Sequence, residues 1–315
     1  MRPYGIIDLH CDTLTDCKYT NTGNHDTLDD PKRVLSLSNM PADVNWAQLY
    51  AIWIQDEYIG EDAVRYFDEN ADNFYRQMEL FSDRVLPCRT FSDVENAWSC
   101  GKRAAILTVE NGSAIGGNLA NISHLAERGV RCVTIVWNGE NEIASGNKTQ
   151  NGLSPFGIEA VREFERQGIL IDVSHLNDKG FYELMDLVTR PFLATHSNAR
   201  SICSNKRNLT DEMIKLMAER GCLIGLNYYV SFIDDDGDAK SPDKFYRHID
   251  RFLSLGAEKN LALGSDFDGS VLPEYLNSPE KVASFYDYLL GRGLPQKVVD
   301  GIFWENASAF LKENL

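Results

Sequence analysis

Short apolar runs alternate with longer amphipathic stretches along most of this chain. The runs Ile6–Leu9, Leu49–Ile54, Ala104–Val109, Val130–Val136, Ile169–Val173, Pro191–Thr195, Leu223–Asn227 and Leu261–Gly264 have the length of buried strands. Between most of them, apolar positions recur at helical spacing. From Glu61 to Phe81, for example, Val64, Phe67, Ala71, Phe74, Tyr75 and Met78 fall on one stripe. Ala120–Arg128, Pro155–Gln167, Asp178–Leu187, Thr210–Arg220 and Pro242–Leu255 also read as helices. Ser154 before Pro155 is an N-cap followed by a proline at the first helical position, and Gly221 closes the helix before it. Pro279–Leu315 reads as further helices, the last around Lys297–Lys312.

Eight strands separated mostly by helices predict an α/β fold with a parallel sheet, and eight is the number that closes a (β/α)8 TIM barrel. An open doubly wound sheet is the alternative, but no GxGxxG or phosphate loop follows any strand. No repeat, low-complexity tract or linker divides the chain. Residues 1–315 are therefore expected to form one barrel domain with extra C-terminal helices. The polar excursion Thr13–Asn45 is long for a plain loop, so a short helix or hairpin covering the barrel mouth is expected there. The acidic run Asp234–Asp238 reads as a solvated loop.

Composition narrows the partners. With 47 acidic and 31 basic side chains the net charge is −16, which argues against nucleic acid, a partner that demands clustered Lys and Arg. No apolar run approaches the roughly 18 residues a membrane helix needs. The seven cysteines show no CxxC pair and lie mostly in apolar runs, as reduced thiols do. No basic-then-apolar leader opens the chain, so a cytoplasmic protein is expected.

Candidate chemistry collects at the strand ends. His10 and Asp12 follow the first strand, Glu110 the third, His175 the fifth, His196 the sixth and Asp266 the eighth. In a barrel these ends share one rim, the face that carries active sites. His10 and Asp12 are two apart on a strand and point the same way, while Cys11 points toward the core. Each residue alone could be an ordinary hydrogen-bonded one. Together, three imidazoles and two carboxylates exceed the needs of a single tetrahedral zinc. They suit two cations about 3.5–4 Å apart, with Glu110 as the bridge, a pair that generates hydroxide at neutral pH and polarises a carbonyl. Asp266 is then a further ligand or a proton carrier. His124 and His248 lie in helical stretches and His25 in the polar excursion; all three read as structural or surface residues.

Several segments resemble the renal (membrane) dipeptidases, a branch of the amidohydrolase superfamily. They are DLHCDT at Asp8–Thr13, VEN at Val109–Asn111, DVSH at Asp172–His175, THSNARSICSNKRNL at Thr195–Leu209 and GSDFDG at Gly264–Gly269. They run in the family's order and span nearly the whole chain. The resemblance implies a barrel with two zinc ions and a dipeptide substrate carrying a free C-terminal carboxylate. It assigns His10, Asp12 and Glu110 to one metal, and Glu110, His175 and His196 to the other. It makes Asp266 the catalytic residue that takes a proton from the bridging hydroxide as it attacks and passes it to the leaving amine. Arg207 matches the residue that pairs with the substrate carboxylate, a task suited to a bidentate guanidinium. Tyr229 matches a tyrosine lining the substrate pocket. The resemblance also suggests a homodimer, for which the sequence offers no interface.

One departure is plain. After the fourth strand the best-known members carry a His near the scissile carbonyl, whereas this chain reads VWNGENE, with Trp137 and Asn138 at or beside that place. Asn138 could donate to a developing oxyanion, and Trp137 would change the pocket's shape. Two further readings stay open: hydrolysis of another amide, a lactam or a lactone on the same barrel, and a non-catalytic binding barrel.

Overall fold

In the computed structural model, which describes residues 1–16 and 27–315, the apolar runs become parallel strands. They are β1 (Gly5–Cys11), β2 (Asn45–Trp53), β3 (Val85–Cys88), β4 (Arg103–Glu110), β5 (Cys132–Thr134), β6 (Leu170–Asp172), β7 (Leu193–Ala194), β8 (Leu223–Leu226) and β9 (Leu261–Leu263). The ladder runs β2-β1-β9-β8-β7-β6-β5-β4, and β4 pairs back onto β2, so eight strands close a (β/α)8 barrel. All eight predicted runs lie in it.

The sequence reading missed β3 and the helix Phe91–Ser99 that follows it. The run Val-Leu-Pro-Cys contains a proline, which argues against a central strand. Pro87 is tolerated because β3 is an edge strand, pairing with Arg103–Ile106 at the lower end of β4 while β5 pairs with Thr108–Glu110 above it. The helix does carry a start signal, a capping box in which Thr90 Oγ1 accepts from Asp93 N and Asp93 Oδ2 accepts from Thr90 N.

Strand parity explains why the interior leads to Glu110 and to Asp172. Ile7, Leu9, Ala47, Leu49, Ala104, Ile106, Leu170, Leu193 and Leu223 form one buried cluster. Phe91, Val94 and Ala97, with Ala307, Phe310 and Leu311 of the helix Asn306–Asn314, join the same cluster and floor the barrel. Alternate residues such as Trp46, Tyr50, Leu107 and Val109 pack outward with Phe67, Phe74 and Phe164 of the surrounding helices. With a side-chain period of two, Ala104 and Ile106 share their face with Glu110, and Leu170 shares its face with Asp172.

Strand β7 is shorter than the apolar run because Thr195 N leaves the ladder to donate to Asp172 Oδ1 at 2.8 Å. The excursion after β1 contains a short helix, Thr13–Asp16; His25 falls outside the described residues. The later part of the excursion is pinned to the rim by Asp268, which accepts from Val34 N, Leu35 N and Thr13 Oγ1. His248 is structural: its Nε2 lies 2.8 Å from Ile233 O and its Nδ1 accepts from Ala199 N, so the ring is neutral, and burial pushes its pKa down to about 4. His124 pairs with Asp68 at 2.7 Å. Among the described residues no helix is long and apolar enough to cross a membrane.

Candidate metal centre and substrate cavity

Six of the residues expected at the rim converge at the C-terminal mouth of the barrel. His10 Nε2 lies 3.6 Å from Asp12 Oδ2 and 3.5 Å from Glu110 Oε2. On the other side of Glu110, Oε1 lies 2.7 Å from His175 Nε2 and 3.7 Å from His196 Nε2. The two Nε2 atoms of His175 and His196 are 3.1 Å apart. Ligand atoms of His10, Glu110 and His196 fall within 4.8 Å of one another, and so do those of His10, Asp12 and Asp266. Close approach of Asp12 and Asp266 depends on Gly269, where a Cβ would collide with both carboxylates.

The donor set fits divalent cations. His10 Nε2 and Asp12 Oδ1 are buried without a hydrogen-bond partner, an expensive arrangement unless something else satisfies them. The network behind His196 fixes its tautomer. Thr195 Oγ1 lies 2.6 Å from Asp172 Oδ2, and a carboxylate takes the hydroxyl proton. The imidazole Nδ1, 2.8 Å from that hydroxyl oxygen, must then be the donor. That leaves an unprotonated Nε2, with its lone pair facing the cluster. Asp172 itself is fully spent, because it also accepts from Thr134 Oγ1, Ser174 N, Ser174 Oγ and Thr195 N.

Electrostatics within the cluster are frustrated. Burial and the neighbouring Glu110 raise the Asp12 pKa to about 8. Glu110 is held well below the usual range, because His10 and His175 outweigh its burial. Burial works against the charge on His10, but Glu110 and Asp12 outweigh it and raise the pKa well above 6.5. Burial first, and then Arg207, lowers His175; burial and the neighbouring His10 lower His196 further. His10, Asp12 and Glu110 thus compete for protons at close quarters, and a divalent cation relieves that competition.

Beside the cluster opens a cavity of about 580 Å³. Asp12, Glu110, His175 and Asp266 line it, together with Arg207, Tyr229, Trp137 and Asn138. Arg207 is 7% exposed, and none of its three guanidinium nitrogens has a partner. Burial lowers its pKa to about 10, still far above neutral, so a buried cation faces the cavity unpaired. Phe232 lies 5.3 Å beneath the guanidinium and 4.8 Å from Tyr229. Asp266 adopts a left-handed φ of 61°, and its Oδ2 accepts from Asn227 Nδ2 at 3.1 Å. Asn138 sits at the wall with its Oδ1 3.2 Å from His175 Nδ1. Trp137 packs edge-to-face on Trp53, with ring centroids 5.1 Å apart.

Sequence reasoning passed over Trp53, Tyr66, Asn227 and Asp268. Trp53 and Asn227 obey the rule that picked out Glu110, since each lies at the C-terminal end of a barrel strand, but an apolar or amide residue there signals nothing by type. Tyr66 lies off the apolar stripe of its helix, and only the fold brings it to the cavity.

Comparisons with known proteins bear on the family and the fold. The sequence profile of the family described as membrane dipeptidase (peptidase family M19) matches residues 1–314. The chain is 31% identical over 240 residues to an uncharacterized protein in the pqqA 5′ region of Klebsiella pneumoniae, covering 73% of this chain and 89% of that one. It is 29% identical over 196 residues to an uncharacterized dipeptidase of Schizosaccharomyces pombe, covering 60% of this chain and 47% of that one. Its structure is similar to that of a metallopeptidase named dipeptidase AC, with a TM-score of 0.92, 25% identity and 99% of each chain covered. It shares its fold with a metallopeptidase from Rhodobacter sphaeroides bound to a phosphinate mimic of L-Ala-D-Ala, with a TM-score of 0.91, 23% identity and coverage of 99% and 100%.

Proposed function

The chain belongs to the membrane dipeptidase family and is a metallo-dipeptidase; on that premise we propose that it cleaves dipeptides with a free C-terminal carboxylate, using two zinc ions. His10, Asp12 and Glu110 would hold one ion, and Glu110, His175 and His196 the other. When bound, the pair supplies Lewis acidity for the scissile carbonyl and lowers the pKa of a water. The remaining work falls to the chain's own groups. Arg207 pairs with the terminal carboxylate and Tyr229 flanks it, which fixes the peptide bond relative to the cluster. Asp266 accepts the proton of the attacking water and returns it to the leaving amine. Its Oδ2 is held by Asn227, and so one carboxylate oxygen remains for this transfer.

The observation that carries this reading is the unpaired, buried Arg207 on the cavity wall. A cation with no partner calls for an anion from the substrate, and a terminal carboxylate supplies one with matching fork geometry. The discriminating experiment is a panel of dipeptides alongside their C-terminal amides, lactams and lactones. Dipeptides should be hydrolysed well and their amides poorly. Lactam or lactone turnover without dipeptide turnover would replace this reading with the other amidohydrolase chemistries.

A further inference from the structure

His175 and His196 are held from behind in different ways. Behind His196 stand Thr195 and Asp172, part of a buried and saturated network. Behind His175 stands one amide, Asn138, on the cavity wall. An amide can present either end, and bond valence selects which. His175 Nε2 faces Glu110 and His196, so its lone pair serves a cation only if Nδ1 carries the ring proton. The atom 3.2 Å from Nδ1 must then be an acceptor, which is the assignment Oδ1 satisfies. The carbonyl of His175 is anchored separately, accepting from Asn147 Nδ2 at 2.9 Å, so Asn138 is the partner at the ring's Nδ1.

We propose that Asn138 is a positioning residue for the metal centre: its Oδ1 fixes the tautomer and orientation of His175. This gives Asn138 a role beyond contacting substrate. It rests on the reading that His175 is a metal ligand. Partners of this kind typically change metal affinity by about 10–100-fold when lost. The acceptor function, rather than the shape of the side chain, is what the proposal requires.

Three proteins test it: wild type, Asn138→Leu (similar shape, no acceptor) and Asn138→Asp (similar shape, acceptor kept). Zinc affinity is measured by competition with a chromophoric chelator, and folding of the metal-free proteins by thermal melting. The leucine variant should bind zinc on the order of 10–100-fold more weakly, and the aspartate variant should bind at least as tightly as wild type. Equal affinity in the leucine variant, or equal weakening in both, overturns the proposal. If the leucine variant does not fold, nitrogen chemical shifts of His175 in zinc-loaded wild type decide, since a proton on Nδ1 is required and a metal-bound Nδ1 overturns it. Failure of wild type to take up zinc would refute the metal-ligand reading instead, so the two failures are distinguishable.

Discussion

Two buried charges in one barrel, Asp172 and Arg207, show what separates a structural group from a working one. Asp172 is fully buried and accepts hydrogen bonds from Thr134, Ser174 and Thr195, whose side chains and two backbone amides surround both its oxygens. Arg207 is nearly as buried, yet all three of its guanidinium nitrogens are unpartnered and face an open cavity. The first arrangement is complete without a ligand, whereas the second is complete only with one. His10 Nε2 and Asp12 Oδ1 belong with Arg207, because they too lack partners. Saturation, more than burial or charge, marks where chemistry is to be sought.

The comparison can be broken at its working end first. Asp266→Asn should lower kcat by about 10²–10⁴-fold while leaving zinc content near normal, read by steady-state kinetics and elemental analysis. Loss of metal would recast Asp266 as a ligand, which its proximity to His10 and Asp12 makes a pointed alternative. On the structural side, Asp172→Ala leaves five donors without their acceptor and should destabilise the fold by about 3–5 kcal/mol in denaturant unfolding. Arg207→Met sharpens the contrast, because the two effects should have opposite signs. It should cut kcat/KM for dipeptides on the order of 10²–10³-fold. It should also raise the stability of the substrate-free protein by about 1–3 kcal/mol, since an uncompensated buried charge is gone.

A smaller effect follows from the protons in the metal-free cluster. At pH 7 Asp12, with its pKa near 8, and His10, raised well above 6.5, both hold protons that a cation must displace. Protons compete with metal below a ligand's pKa, so affinity rises with pH through neutrality, by up to about tenfold per unit for each proton displaced, and flattens only once both Asp12 and His10 have lost their protons. Calorimetry in buffers of different ionisation enthalpy would count the protons released. Proton-free uptake at pH 7 would contradict the frustrated cluster.

How much of this was legible beforehand depended on whether a residue declared itself by type. His10, Asp12, Glu110, His175, His196 and Asp266 did so, because titratable side chains following apolar runs stand out by type, although a register shift between Asp8 and Cys11 means that simple alternation does not set the direction of His10. The eight barrel strands were legible for the same reason, whereas β3 hid behind Pro87. Asn227 did not declare itself, and Asn138 did so only as a departure after the fourth strand, read as a contact to substrate and not as a partner of His175. An amide beside a strand end reads as a turn residue, and only the fold places one against Asp266 and the other against His175. Asp172 stood in plain view within DVSH, but its network draws on three strand ends, which no single stretch of sequence displays. The departure at Trp137 and Asn138 was visible as a change, and the cavity now gives it content: an aromatic wall with Trp53 and an acceptor for a histidine.

Chelation with reloading measures metal dependence and peptide-bond cleavage together. The protein is assayed on a broad dipeptide panel as purified, after exhaustive dialysis against a chelator, and after zinc is returned. The account predicts dipeptide hydrolysis that disappears with the metal and returns with it, to a plateau at two ions per chain. Hydrolysis that survives metal removal, or a fully loaded protein that cleaves no dipeptide, would contradict it.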